Sequence, residues 1–434
     1  MSTLVDFPAK PGTRPYLDSY AETAGEPEWL RNARRMSLNR FAELGFPTRR
    51  SENWRYLDLR ALETHPMLPA VIAEPMGVPN GLGLPRSAAR IVLVDGRFAP
   101  ALSRLALPEG VWFGSTRMAL EQRSDLVAAF AADTGADHPF ASLNAAFFAD
   151  GFVLEVGYGV AVDAPIEIVH LASGAGDASL HTRSMIEMCA GSRATVVETY
   201  AGDGKYWRND VAVWRLGEGA SLTRIALVEE AAEAVHLGEI TATLGAGAKL
   251  DGFALLLGGG TVRHEANIAI AGEGAGCRYD GGFVVSGQEE ANIVTTIDHH
   301  AVGGQTSELI KGVAAGRGHG AFQGKIIVRE DAQQTDARQT SRNLILGRRA
   351  VIDTKPELEI LADDVKCAHG ASVGDLDEAA LFYLRARGIP EAEARRLLVE
   401  GFLREPVDGV ADTAIREHLL RRLTEQLSRL EDER

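Results

Sequence analysis

The sequence predicts a mainly β protein: a solenoid core of stacked short strands, flanked by helical regions at both ends. Three observations carry this. From Arg90 onward apolar residues alternate with a period of two, as in Ile91-Val92-Leu93-Val94 and Leu222, Ile225, Leu227. A glycine-bearing turn recurs at Ala190-Gly191-Ser192-Arg193-Ala194, Leu216-Gly217-Glu218-Gly219-Ala220, Leu244-Gly245-Ala246-Gly247-Ala248 and Ala271-Gly272-Glu273-Gly274-Ala275, at spacings of 26, 28 and 27 residues. After Gly374 the pattern switches to helical spacing. A unit of this length cannot bury its own face, so neighbouring units must stack. A β-sandwich also alternates short strands with turns; the near-constant period favours the solenoid.

Residues 1–85 read as an N-terminal helical region. Trp29, Leu30, Ala33, Met36 and Phe41 recur at amphipathic spacing, and Gly45 and Pro47 end that helix. The stretch Ser51-Glu52-Asn53-Trp54-Arg55-Tyr56 follows, then a Pro/Gly-rich linker from Pro66 to Pro85. Residues 86–374 form the β core, interrupted by a helical insert near 116–150, with two looser turn copies around Gly316-Arg317-Gly318 and Gly347-Arg348-Arg349. Residues 375–434 form a C-terminal helical region. Asp375 or Asp377 caps a helix through Leu381 and Leu384 that stops at Gly388. Pro390 opens a second helix with Ala394, Leu397, Leu398 and Phe402 on one face, and Ile415, Leu419, Leu420, Leu423, Leu427 and Leu430 stripe a third.

With 60 acidic against 45 basic residues the formal charge is −15, which argues against a nucleic-acid or anionic-membrane surface. No apolar run approaches the roughly 20 residues that cross a bilayer. The N-terminal stretch lacks a signal or transit pattern, so a cytoplasmic location is expected. Cys189, Cys277 and Cys367 are too few and too scattered for a disulfide framework; the first two read as packing residues.

Nucleotide-binding loops fail on inspection. In Gly318-His319-Gly320-Ala321-Phe322-Gln323-Gly324-Lys325-Ile326 the first glycine is out of register, and Ile326 stands where a magnesium-holding hydroxyl is needed. Gly272-Glu273-Gly274-Ala275-Gly276-Cys277 lacks the third glycine of a dinucleotide fingerprint. His299 and His300, adjacent on a strand, point to opposite faces and cannot easily chelate one ion. Gln334, Thr335, Asp336, Gln339 and Asn343 fit a polar ladder inside the solenoid, or a sugar-binding cleft. Cys367 and His369, at i and i+2 of one strand, share a face at about 6 to 7 Å between Cα atoms. A thiolate and an imidazole so placed suit iron, zinc or copper(I), with Asp363 or Asp364 near enough to add an oxygen. Two ligands do not close a tetrahedral site, so an incomplete, transient or subunit-shared site competes with a plainly structural pair.

Five ordered stretches then point to a family: Gln334-Thr335-Asp336-Ala337-Arg338-Gln339; Ser341-Arg342-Asn343-Leu344-Ile345-Leu346; Ile352-Asp353-Thr354-Lys355-Pro356-Glu357-Leu358-Glu359-Ile360; Asp363 to Gly374; and Leu381-Phe382-Tyr383-Leu384-Arg385-Ala386-Arg387-Gly388-Ile389. Together they resemble the SufB/SufD family of iron–sulfur cluster assembly proteins over roughly residues 150–405. Gly370 and Gly374, where the SufB branch carries a glutamate and a serine, and the Trp54-Arg55-Tyr56 motif align the chain with the SufD branch. The resemblance implies a right-handed parallel β-helix and a non-enzymatic scaffold. It implies pairing with SufB through the β-helix end, and docking of the ATPase SufC on the C-terminal helices through Leu381, Phe382, Tyr383, Leu384 and Arg387. It also implies a nascent cluster at the subunit seam, with His369 and Cys367 as transient, shared ligands. The cofactors that follow are the transient cluster, ATP used by SufC and the reduced flavin of the complex, none held permanently by this chain. Two other classes fit a β-solenoid: a polysaccharide-acting enzyme, and a structural homodimer without a metal role.

Overall fold

A computed structural model describes residues 9–69, 78–79, 81–131, 138–174 and 176–432, so part of the Pro66–Pro85 linker and of the 116–150 insert lies outside the described residues. From Ile166 to Gly374 the chain winds as a flattened parallel β-solenoid, its strands falling alternately into two sheets. The front sheet runs Phe152–Val156, Ala178–Met188, Tyr206–Leu216, Val235–Leu244, Thr261–Ile270, Glu290–His299, His319–Val328 and Val351–Ile360. The back sheet runs Ala89–Val94, Ile166–Ala172, Arg193–Gly202, Ser221–Glu229, Lys249–Gly258, Gly276–Val285, Gln305–Ala314, Asp336–Ile345 and Lys366–Gly374. Between them lies a core of side chains such as Ile168, Ala226, Ala254, Trp214, Ala242 and Ile268.

The glycine turns stack as the sequence suggests. Gly191, Gly219, Gly247, Gly274 and Gly303 have φ between 62° and 73°, the left-handed region that a Cβ disfavours. Each gives its N–H to the next turn's carbonyl, as Gly219 does to Ala246 at 2.8 Å. The two looser copies, however, belong elsewhere. Gly316 and Gly347 follow back-sheet strands and lie in turns on the opposite side of the solenoid. The series continues instead through Gly303 to Gln334, a non-glycine residue at φ 60° whose N–H meets Asp364 O. A spacing near one repeat cannot tell one turn column from the other, which is why the sequence merged them.

Both outer faces are covered. On the front sheet Glu28–Leu44 and Pro139–Phe147 pack with Trp54, through Phe41, Phe140 and Leu143 on Trp207 and Leu237. Gly45, at φ 67°, ends the first of these helices as expected. The stretch around Trp54 acts as a strut. The Trp54 ring lies 4.1 Å from the Arg263 guanidinium, Glu52 meets Lys355 at 2.7 Å, and Gln323 donates to Asn53 O. On the back sheet Glu391–Asp408 and Thr413–Asp432 bury Val399, Leu403, Val407, Ile415, Leu419, Leu423, Leu427 and Leu430 against Ile225, Leu227, Phe253 and Leu255. Leu397, expected on that buried face, is 39% exposed, one position off the observed stripe. Asp377 caps Glu378–Ala386, accepting from Ala379 and Ala380 N–H.

The two ends of the solenoid differ. At the first turns antiparallel Val111–Ser115 covers the front sheet, and Arg97–Phe98 and Arg104–Leu105 cover the back. At the last turn, among the described residues, no strand pairs with the outer edge of Val351–Ile360 or of Lys366–Gly374.

Candidate functional site

Cys367 and His369 lie on Lys366–Gly374, the edge strand of the open end, in register with Ala337 and Gln339. Cys367 packs beside Ile326, Val328 and Ala337, so its side chain points into the solenoid, and His369, two residues on, shares that side. The strand is exposed over most of its length because no further rung covers it: Cys367 is half-buried and His369 exposed. Burial pushes the Cys367 thiol up, with Asp336 adding to the shift, so at neutral pH it is a thiol that a metal would have to deprotonate.

The two edges are built differently. Lys366 N donates to Thr335 O, so by parallel alternation the N–H groups of Cys367, His369, Ala371 and Val373 face outward. In the front sheet Val351 N donates to Gly318 O, which turns the nitrogen of Pro356 outward; its missing N–H costs no ladder bond and blunts that edge. The back edge carries no proline and is lined by small residues, Ala368, Gly370, Ala371 and Gly374. It is the edge ready to accept another strand.

The other proposed ligands disperse. Asp363 and Asp364 remain exposed in the preceding turn, and among the described residues no three His, Cys, Asp or Glu side chains converge to hold a metal ion. His299 is buried against Thr306 at 2.8 Å, while His300 faces solvent. Gly318 to Ile326 belongs largely to the strand His319–Val328, so it forms no phosphate-cradling loop. Gln339 and Asn343 are 1% and 2% exposed inside the solenoid, which makes them the polar ladder rather than a cleft. Cys277 is a core residue; Cys189 is half-buried near Glu155.

Of the helix residues, Leu381 is 2% exposed and anchors Glu378–Ala386 from beneath, while Phe382 and Tyr383 stand 74% and 58% exposed. Leu384 is half-buried, and Arg387 lies over the Tyr383 ring and donates to its hydroxyl at 3.0 Å. Of the residues expected to dock a partner, Phe382, Tyr383 and Arg387 are therefore exposed and Leu381 is not.

The sequence did not single out the acid beneath the open end. Glu308, 2% exposed, accepts from the Gln339 amide at 2.6 Å, and burial, partly offset by that bond, pushes its carboxyl up to about 7. Its signal was available: Glu308 is in interior phase with Tyr279 and Gln339.

The solenoid is thus capped at its first turns, and among the described residues its last turn carries a cysteine and a histidine on an unpaired edge strand. Residues 170–402 match the family described as SUF system FeS cluster assembly, SufBD core domain, and residues 85–168 match the SufBD protein N-terminal region. The chain belongs to this SufBD family. It is similar to the iron–sulfur cluster assembly protein SufD of Escherichia coli, 29% identical over 395 residues that cover 90% of this chain and 91% of that one. SufD of Bacillus subtilis is 28% identical over 91% of this chain and 94% of its own length. A SufBD family protein of Synechocystis is 28% identical over 88% and 87%.

Proposed function

We propose that this chain is the SufD-type scaffold of a cytosolic SUF assembly complex. In this reading a SufB subunit adds its strand to the open back-sheet edge, and Phe382, Tyr383 and Arg387 dock one SufC ATPase. A nascent iron–sulfur cluster, the cargo of the complex, forms where the two solenoids meet. The single observation that supports this best is the contrast between the closed first turn and the last turn, where Cys367 and His369 sit beside a row of outward N–H groups. An imidazole is a fitting ligand for borderline iron(II), and the thiol adds a second donor once metal binding deprotonates it. Neither completes a site alone, so SufB would supply the principal thiolate. ATP-driven closure of the SufC pair would then strain the seam and expose it; this chain positions ligands and turns over nothing itself.

The test is paired. His369→Ala should strongly reduce iron–sulfur content in the co-expressed complex and leave the melting temperature of the isolated chain nearly unchanged, with Cys367→Ala milder. A large fall in melting temperature with normal cluster content would make His369 a purely structural residue.

A further inference from the structure

His369 ends a column. In the back sheet Arg224, Gly252, Tyr279, Glu308, Gln339 and His369 are register partners on successive rungs, all on the interior side. The next interior column, Ala226, Ala254, Gly281 and Ile310, is apolar over the first four of these rungs and turns polar at Ser341, on the rung of Gln339. A polar line buried inside an apolar solenoid costs stability unless its members are satisfied, and two are not: Glu308 Oε1 and the Gln339 amide oxygen lack partners. The Gln339 amide nitrogen is committed to Glu308 Oε2 at 2.6 Å, which turns the amide oxygen away from the acid. That oxygen is buried and has no hydrogen-bond partner. Gly324 from the front sheet makes room for the amide, since a Cβ there would collide with its nitrogen. The orphan acceptor sits one rung beneath His369, with no bond to the imidazole in this structure.

We propose that Gln339, with its amide turned by Glu308, is a positioning residue for His369: when the exposed ring turns onto the unpartnered oxygen, that oxygen accepts the proton of one ring nitrogen and leaves the lone pair of the other for metal. A metal-binding histidine commonly gives its second ring N–H to such an acceptor, which selects the tautomer and holds the ring. Glu308 acts one step further out. It touches neither metal nor imidazole and serves to keep the amide from presenting its donor side. The inference rests on the reading of His369 as a ligand, and its test separates the two.

The first readout needs no cluster. In the isolated full-length chain labelled with nitrogen-15, the ring shifts of His369 should report one dominant tautomer. Gln339→Met, close in shape but without an acceptor, should give the mixture of a free exposed imidazole. Glu308→Met, which frees the amide to turn, should move the shifts the same way, so either variant decides if the other fails to fold. In the co-expressed complex Gln339→Met should lower iron–sulfur content about tenfold. Ring shifts identical in wild type and in the folded variants overturn the proposal. Normal cluster content in His369→Ala overturns the ligand reading instead, and the tautomer measurement still stands on its own.

Discussion

Lys311 reaches out of the back sheet to the main chain of Phe402, its ammonium 2.9 Å from the carbonyl oxygen and 4.2 Å from the ring centroid. The side chain is 4% exposed, and its charge is balanced by Glu405, itself half in solvent. Removing one partner of such a pair is worse when the buried charge is the one left behind. Glu405→Ala should therefore destabilise the C-terminal helices more than Lys311→Met, which takes the charge away and leaves a solvated carboxylate. Paired thermal melts give the order; the reverse order would mean that Lys311 is solvated in solution. Lys311 also holds the Glu405 carboxyl below its usual value, so this contribution is lost as pH falls through that lowered value.

Glu308 should make the protein less stable in mild alkali. Its folded value of about 7 lies above the ordinary 4.5, so between the two the folded chain holds a proton that the unfolded chain releases. The cost is absent below the lower value, grows through the interval, and is complete above the upper one, at roughly 3 kcal/mol. Glu308→Gln removes the charge and keeps an acceptor for Gln339. It should melt higher than wild type at pH 8 and about the same at pH 4. Equal melting at both would show that the carboxyl ionises without penalty.

The helix Glu378–Ala386 divides into structure and surface. Leu381→Ala should cost about 2 to 5 kcal/mol, because it empties a buried site. Phe382→Ser with Tyr383→Ser should leave stability within about 0.5 kcal/mol, as exposed positions do, and abolish capture of SufC. Undiminished capture by the double variant would remove the docking role.

Ala371→Pro should block strand addition at the open end with little effect on the fold, since its N–H points outward and no ladder bond is lost. Size-exclusion chromatography of the mixture with SufB reads pairing, and the melt of the lone chain reads the fold. Retained pairing would place the partner elsewhere.

Much of this architecture was legible because it is local. The stacked turns announce themselves through glycines that must take positive φ, and the helices through caps such as Asp377 and Gly45. The shared face of Cys367 and His369 follows from strand alternation alone. What escaped depends on pairing between residues a full turn apart. Gly316 and Gly347 look like members of the Gly191 series until the strands on either side are assigned to sheets. Gln334 hides in that series as a non-glycine. The bond from Gln339 to Glu308 exists only once the register of two rungs is known, and Leu381 reads as surface until the helix is set on its neighbours.

The unequal ends of the solenoid also bear on how firmly its last residues are held. An inner rung is gripped by a neighbour on each side, whereas among the described residues Lys366–Gly374 pairs on one side only. In a stack stabilised by nearest-neighbour contacts, the terminal layer melts first, so its amides should exchange with solvent well before those of Lys249–Gly258. Seating a partner strand there would supply the missing neighbour. Recognition and the last step of folding would then be one event, with the ordering of Cys367 and His369 drawn from the same free energy that holds the subunits together.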